Sequence, residues 1–356
     1  AWKQDKVSFL GCLCLGGLIL VTYMAWIVTI FPSYDDYAGY FVFPSKMLGQ
    51  GSLGIEPYSE RRLFALGGQY FLQTWFLAVL QLKNLHILDP GLGFIICSFI
   101  LWHLGRRLEV PGKVISLSVI LFLLLVVAHI ASIELNMTSF LLGSVLVLAL
   151  FCVFEERSSK SFPPGIGRNI LIALLISALV ALKTTFLGFV LIYVIFLYLA
   201  QLILLPHKKD LGVEFLQIIS FTVIFLLPWI VASFQSSGTM LFPFLGRGFH
   251  QPIEGFFRFQ SPTPSEALSI TFKRLSNPQT AFIIIFCLLG LRNNWTVNLY
   301  RLVFGGSLMI AAILTDMFMP YRDYAFPWIQ AGLFFFILSA FSKPTAKLYK
   351  FLPYVV

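Results

Sequence analysis

Long apolar stretches alternate with short polar ones from one end of the chain to the other. They run at about 8–31, 67–82, 91–105, 112–130, 137–154, 169–183, 184–205, 215–234, 280–291, 299–318 and 324–341. The stretches are apolar throughout and lack the every-second-residue alternation of an outer-membrane barrel, so each predicts a helix surrounded by lipid. The run at 280–291 is short for a span, which puts its start nearer Leu275. The run at 67–82 is different. It is short, opens with Gly67-Gly68 and carries Gln69, Gln73 and Gln81.

The polar intervals orient these helices. Lys3 and Lys6 precede the first run, and Arg106, Arg107 and Lys113 separate the third from the fourth. Arg157, Lys160 and Arg168 follow the fifth, and Lys208 and Lys209 the seventh. Arg292 and Arg301 follow the ninth, and Lys343, Lys347 and Lys350 the last. Cytoplasmic loops collect Lys and Arg, and all these clusters can be cytoplasmic only if one early run does not cross. Residues 63–82 are therefore expected to form a helix lying at the outer surface. About ten crossings remain, with both termini cytoplasmic. The run at 8–31 is too long for a signal peptide and has no small-residue cleavage pattern after it, so it is expected to be a retained span.

Composition agrees: hydrophobic residues make up 58% of the 356 positions, with 38 Phe and a mean hydropathy of +0.86. No soluble domain of this length buries so much apolar surface. The net charge of +9 then records orientation rather than a nucleic-acid footprint. Cys12, Cys14, Cys97, Cys152 and Cys287 all lie in apolar runs, so neither a disulfide framework nor a thiolate metal site is expected. The fold class expected is an all-α polytopic membrane protein with residues 1–356 as one transmembrane domain. No internal repeat is visible, which argues against an inverted-repeat transporter.

Polar groups gather in the segments this topology turns outward, above all in the long intervals 32–90 and 235–278, the expected active-site face. Tyr34, Asp35, Asp36 and Tyr40 follow the first run, with Glu56, Glu60, Arg61 and Arg62 beyond them. Glu134 and Asn136 stand between the fourth and fifth runs, and Lys183 at the junction of two others. Arg247 and His250 lie in the second long interval, and Arg322, Asp323 and Tyr324 before the last run. Two adjacent carboxylates at a membrane exit are costly in a chain with only 12% charged residues. Outward basic residues run against the orientation rule, and binding a lipid phosphate would explain them. Plainer roles fit the same residues. Asp35 and Asp36 would also suit a solvated helix-capping loop, Lys183 a snorkelling side chain, and Arg61-Arg62 beside Glu60, or Arg322 beside Asp323, a surface ion pair. His250 is a lone histidine, and metal ligation needs partners. Neither a nucleotide-type glycine loop nor an HExxH, CxxC or GxSxG motif occurs.

In order along the chain, five features resemble the GT-C glycosyltransferases, polytopic enzymes that take sugar from a polyprenyl-phosphate or related lipid carrier. They are Tyr34-Asp35-Asp36 followed by Tyr40 and the amphipathic segment 43–51; Glu134-Leu-Asn-Met-Thr138; Leu182-Lys183-Thr184; Leu227-Pro-Trp229 with Ser237-Gly238 and Leu241-Phe-Pro-Phe244; and Tyr321-Arg322-Asp323-Tyr324 with Pro327. The set spans nearly the whole chain and is nearest to enzymes similar to the lipid A aminoarabinose transferase and the protein mannosyltransferases. Two departures stand out. Those relatives often have Asp where this chain offers Glu134 or Asn136, and no counterpart of their extra C-terminal domain is expected here.

The resemblance implies a GT-C-like bundle with an outer juxtamembrane helix, in the bacterial cytoplasmic (inner) membrane. It implies transfer of a sugar from a polyprenyl-phosphate donor to a lipid, glycan or protein acceptor at the outer face, with Asp35, Asp36 and Glu134 as catalytic carboxylates. Tyr34, Tyr40, Glu56, Arg61, Arg62, Lys183, Arg247, His250, Arg322 and Tyr324 would line the substrate. A divalent metal on Asp35 and Asp36 is one way to neutralise the leaving phosphate; Lys and Arg are the other. Partners are then the donor, the acceptor, membrane lipids and a larger membrane complex, with no nucleic acid. Two other functions suit the same pattern: a non-catalytic GT-C-like structural or assembly subunit, and a lipid-linked transporter or flippase. The latter calls for ionisable residues near mid-membrane, whereas His129 and Asp316 lie near the ends of runs.

Overall fold

The computed structural model describes residues 40–51, 67–107, 109–110, 115, 139–156, 165–204 and 211–241, with isolated positions between 263 and 314. Among the described residues there are helices and no strand. In chain order they are α1 (Val42–Gln50), α2 (Gly68–Leu77), α3 (Phe94–Arg107), α4 (Phe140–Glu156), α5 (Ile166–Leu182), α6 (Phe186–Leu204) and α7 (Leu211–Ser237). A 3-10 turn at Leu82–Ile87 and a π-helical turn at Leu88–Gly93 lead from α2 into α3. The apolar run there was expected to begin at residue 91. Instead the backbone is already helical before it, and α3 is extended backwards to Leu88.

Among the described residues, two helices are long and apolar enough to cross a membrane, over Phe186–Ile203 and Leu211–Ser237. Helices α4 and α5, with 17 residues each, rise about 25 Å, the short end of what spans a bilayer. The 10 residues of α2 rise about 15 Å and do not cross alone. Most of the remaining expected spans, at 8–31, 112–130, 280–291, 299–318 and 324–341, fall outside the described residues.

Contacts define two ends of the bundle. At one, which we call the upper end, lie the starts of α3, α4 and α6 and the finishes of α5 and α7. Ser139 Nα donates to Gln69 Oε1 at 3.2 Å, Phe71 packs edge-on against Trp229 at 5.8 Å between ring centroids, and a side chain at Gly143 would meet the Phe186 ring. At the lower end, Arg168 of α5 pairs with Glu214 of α7, while Phe154 of α4 meets Tyr198 of α6 edge-on. Between them runs a core in which Phe151, Phe154, Phe186, Phe189 and Tyr193 are fully buried.

The outer surface is the opposite of a soluble protein's. Leu191, Ile195, Leu199 and Leu202 form an exposed stripe on α6 at helical spacing, and Leu216, Val223, Ile224, Leu227, Val231 and Phe234 are exposed on α7. Helix α2 is inverted in the same sense. Its buried face carries Gln69, Tyr70 and Gln73, whereas Leu72, Trp75 (66% exposed) and Val79 just beyond it point away. Polar-in, apolar-out packing is favourable only against an apolar medium, and Trp is favoured at the membrane interface.

The start of α4 shows how such a bundle satisfies its backbone. The first amides of a helix have no partner within it. The buried Asp89 carboxylate accepts both, from Leu142 Nα at 2.8 Å through Oδ1 and from Leu141 Nα at 3.1 Å through Oδ2. A carboxylate here also meets the positive end of the helix dipole. Asp89→Ala should lower stability by about 1–2 kcal/mol, and Asp89→Asn, which keeps one acceptor oxygen, should cost less. Thermal unfolding of the purified protein in detergent measures both, and equal midpoints for Asp89→Ala and wild type would remove this role.

Candidate functional site

Of the residues expected to line a site, Tyr40 and Lys183 are described, and the structure brings them together across 143 positions of sequence: Lys183 Nζ lies 3.5 Å from Tyr40 Oη, at the outer limit of a hydrogen bond in which the amine donates. Asp35, Asp36, Glu134, Tyr34, Glu56, Arg61, Arg62, Arg247, His250, Arg322 and Tyr324 lie outside the described residues.

Lys183 does not snorkel. It follows the last residue of α5 in extended backbone, φ −150° and ψ 129°, and is 6% exposed. Thr184 and Thr185 beside it are buried as well. The turn is closed by Phe186 Nα donating to the Lys183 carbonyl at 3.0 Å and Leu187 Nα to that of Thr184 at 3.0 Å, which starts α6 at once. A buried ammonium costs several kcal/mol unless oxygen atoms surround it. The phenol of Tyr40 is one such oxygen.

Tyr40 is held from the other side. It enters α1, whose buried face is Phe43, Pro44 and Met47 while Lys46 stays exposed. This is the amphipathic pattern expected of the segment 43–51. Proline is tolerated in that first turn, where its missing N–H costs nothing. Tyr70 of α2 contacts both Tyr40, at 6.0 Å between centroids, and Phe43, at 5.2 Å and edge-on. Thr74 Oγ1 donates to Tyr70 O at 2.6 Å, and Tyr70, Leu85, Tyr40, Phe41, Phe43 and Met47 form a small core of their own.

Three consecutive residues of α2 thus organise the upper end. Gly68 lies against the backbone of Ala181, two residues before Lys183; a Cβ there would come within 2.9 Å of the Ala181 carbonyl carbon and oxygen. Gln69 accepts from Ser139 Nα, five residues after Glu134. Tyr70 packs against Tyr40 with tilted rings, four residues after Asp36. Gly67, with φ 115°, turns the chain into this helix in a conformation that residues with a side chain rarely adopt.

None of these three, nor Asp89, was among the expected site residues. A signal was nevertheless present: Gln69 and Gln73, four apart in an apolar run, share one helix face. Among the described residues no group of three or more His, Cys, Asp or Glu is placed to hold a metal ion. No protein-family model fits the chain, and no curated protein resembles it significantly.

Gly68→Val forces α2 away from α5 and should cost about 1–3 kcal/mol, with Gly68→Ala in between. Gly49→Ala in α1, where a Cβ meets nothing within 4 Å, is the matched control and should be near neutral. The unfolding midpoints of the three variants decide; equal midpoints for Gly68→Val and Gly49→Ala would show that the close approach is not constraining.

Proposed function

We propose that this chain is a polytopic membrane glycosyltransferase of the GT-C type that moves a sugar from a polyprenyl-phosphate donor to an acceptor at the outer face of the bacterial inner membrane. The observation that carries this reading is the gathering role of Gly68-Gln69-Tyr70. Those residues contact the segments adjoining Lys183, Ser139 and Tyr40 at one end of the bundle. In sequence, Asp36 stands four residues before Tyr40 and Glu134 five before Ser139, which supports grouping them with that end. The apolar exterior of α6 and α7 and the inverted face of α2 support a membrane setting, with the upper end outward.

In this reading Asp35 or Asp36 takes the proton of the acceptor hydroxyl or amine as its heteroatom bonds to the anomeric carbon. The bond from that carbon to the phosphate oxygen breaks, and the electron pair leaves with the phosphate. Lys183, with Arg61, Arg62 and Arg322 as further candidates, stabilises the charge that develops there. Direct displacement inverts the anomeric centre. A divalent metal on Asp35 and Asp36 remains an expectation of the resemblance, and the steps above use only the chain's own groups.

A second reading, a non-catalytic subunit of a membrane complex, draws support from the burial of Lys183 against Tyr40, since a retired site has its polar groups engaged with one another. A transfer assay separates the two. Membranes with the wild-type chain should transfer labelled sugar from a polyprenyl-phosphate donor panel, and Asp35→Asn or Asp36→Asn should lower turnover about 100- to 10,000-fold. Unchanged turnover in both single variants and the double variant would reject the base. No transfer by wild type across the donor panel would favour the subunit.

Topology is tested separately. With the native cysteines replaced by Ser, a Cys placed at Arg106 should resist an impermeant thiol reagent added to intact cells, and one placed at Gln81 should react. The reverse pattern would overturn the orientation.

A further inference from the structure

The lower finish of α3 carries an exposed polar patch that the reading above leaves unused. Ile96 (40% exposed) and Phe99 (69% exposed) stand open on this helix, and so do His103 and Arg106. Spacings of three, four and three put all four on one helix face. That face changes from apolar to polar along its length. From Phe99 to Arg106 the helix rises about 10 Å, comparable to the depth of one interfacial layer of a bilayer. Trp102, half-buried beside His103, suits the same level, where indole rings are enriched.

Arg106 is not needed to finish the helix. Basic side chains near a helix end often serve its last carbonyls, but here the backbone does so. Val110 Nα donates to the Gly105 carbonyl at 3.0 Å and Glu109 Nα to that of Arg106 at 3.1 Å. This closure needs a left-handed residue, and Glu109 supplies it with φ 53°. Val110 and Ile115 are buried, and a Cβ at Gly105 would come within 2.7 Å of Ile115 Cγ1, so the chain is drawn tightly under the helix. Arg107 is half-buried and engaged. Among the described residues, by contrast, none bonds or pairs with the Arg106 guanidinium or the His103 imidazole. The segment 103–113 sets Arg106, Arg107 and Lys113 against Glu109, so its net charge is positive.

We infer that this face of α3 docks one anionic phospholipid of the adjoining leaflet. Its phosphate diester accepts from the Arg106 guanidinium and a His103 N–H, and its acyl chains lie on Phe99 and Ile96. Charge complementarity selects the occupant. An apolar helix face alone takes any lipid, whereas an exposed guanidinium with no protein partner favours a headgroup of net negative charge. With the upper end outward, this is the cytoplasmic leaflet. The inference needs the membrane setting but not sugar transfer, so it stands or falls apart from the transfer assay.

Native mass spectrometry of the full-length protein in neutral detergent, titrated with phosphatidylglycerol or phosphatidylcholine, tests it. Phosphatidylglycerol should bind about five- to tenfold more tightly than phosphatidylcholine. Arg106→Gln should remove most of that preference. Lys46→Gln, which removes an exposed cation of α1 instead, should keep it. Deacylated glycerophosphoglycerol at equal concentration should not displace the lipid. His103→Ala should lower the preference in the same direction, and it decides alone if Arg106→Gln fails to fold. Equal affinity of the wild type for the two lipids overturns the inference. So does an equal loss in Arg106→Gln and Lys46→Gln, which marks diffuse attraction, and so does displacement by glycerophosphoglycerol, which marks a site for a soluble phosphodiester. A lipid-free dimer that Arg106→Gln dissociates would overturn it too, by showing that a second copy covers this face.

Discussion

A helix that starts in apolar surroundings cannot turn to water for its first amide protons, and the upper end of this bundle is arranged around that demand. Helix α4 is served by two side chains from one continuous stretch of chain, Gln69 on Ser139 and Asp89 on Leu141 and Leu142. In water such bonds contribute about 1 kcal/mol each, because the alternative partner is solvent; with water excluded, an unmet amide is the costlier state. Helix α2 is consequently pinned by its polar face, and everything that packs on α2 inherits the position. That includes Tyr40 through Tyr70 and the finish of α5 through Gly68.

The same exchange of roles explains the rest of the surface. Apolar side chains cover α6 and α7 where a soluble protein would carry charges, and the polar residues of α2 point inward. The lower end repeats the logic with charges: Arg168, Glu214 and Tyr198 are buried together and join three helices by directional bonds. A buried ion pair of this kind adds little net stability over apolar residues of equal size, but losing one member strands the other.

Much of this was legible in the sequence. The apolar runs at 137–154, 169–183, 184–205 and 215–234 correspond to α4 through α7, displaced by one to four residues at their ends. Such runs are long, and their hydropathy is set by the surroundings rather than by neighbours. That the run at 67–82 gives only a short helix, α2, agrees with its Gly67, Gly68 and glutamines. Tyr40 and Lys183 were both legible as candidate site residues, though not as a contact, since sequence pattern does not say which partner a residue meets. The caps were not legible. Asp89 precedes Pro90 and Gly91 and reads as a turn residue; that it serves a helix 52 positions later depends on packing, which periodicity does not encode. Arg168 read as an orientation marker for the same reason.

The hub at Gly68-Gln69-Tyr70 has a consequence for how the protein is made. Gly68 and Gln69 leave the ribosome long before the segments they hold: Ser139 follows Gln69 by 70 positions, and Ala181, against which Gly68 packs, comes later still. At a synthesis rate of about 5–20 residues per second, α2 waits on the order of ten seconds for α5. Over that interval its glutamine face is unmet, and it must be sheltered by the insertion machinery or by the lipid–water boundary. The upper end is thus assembled late, by a short helix folding back onto partners that did not yet exist when it was synthesised.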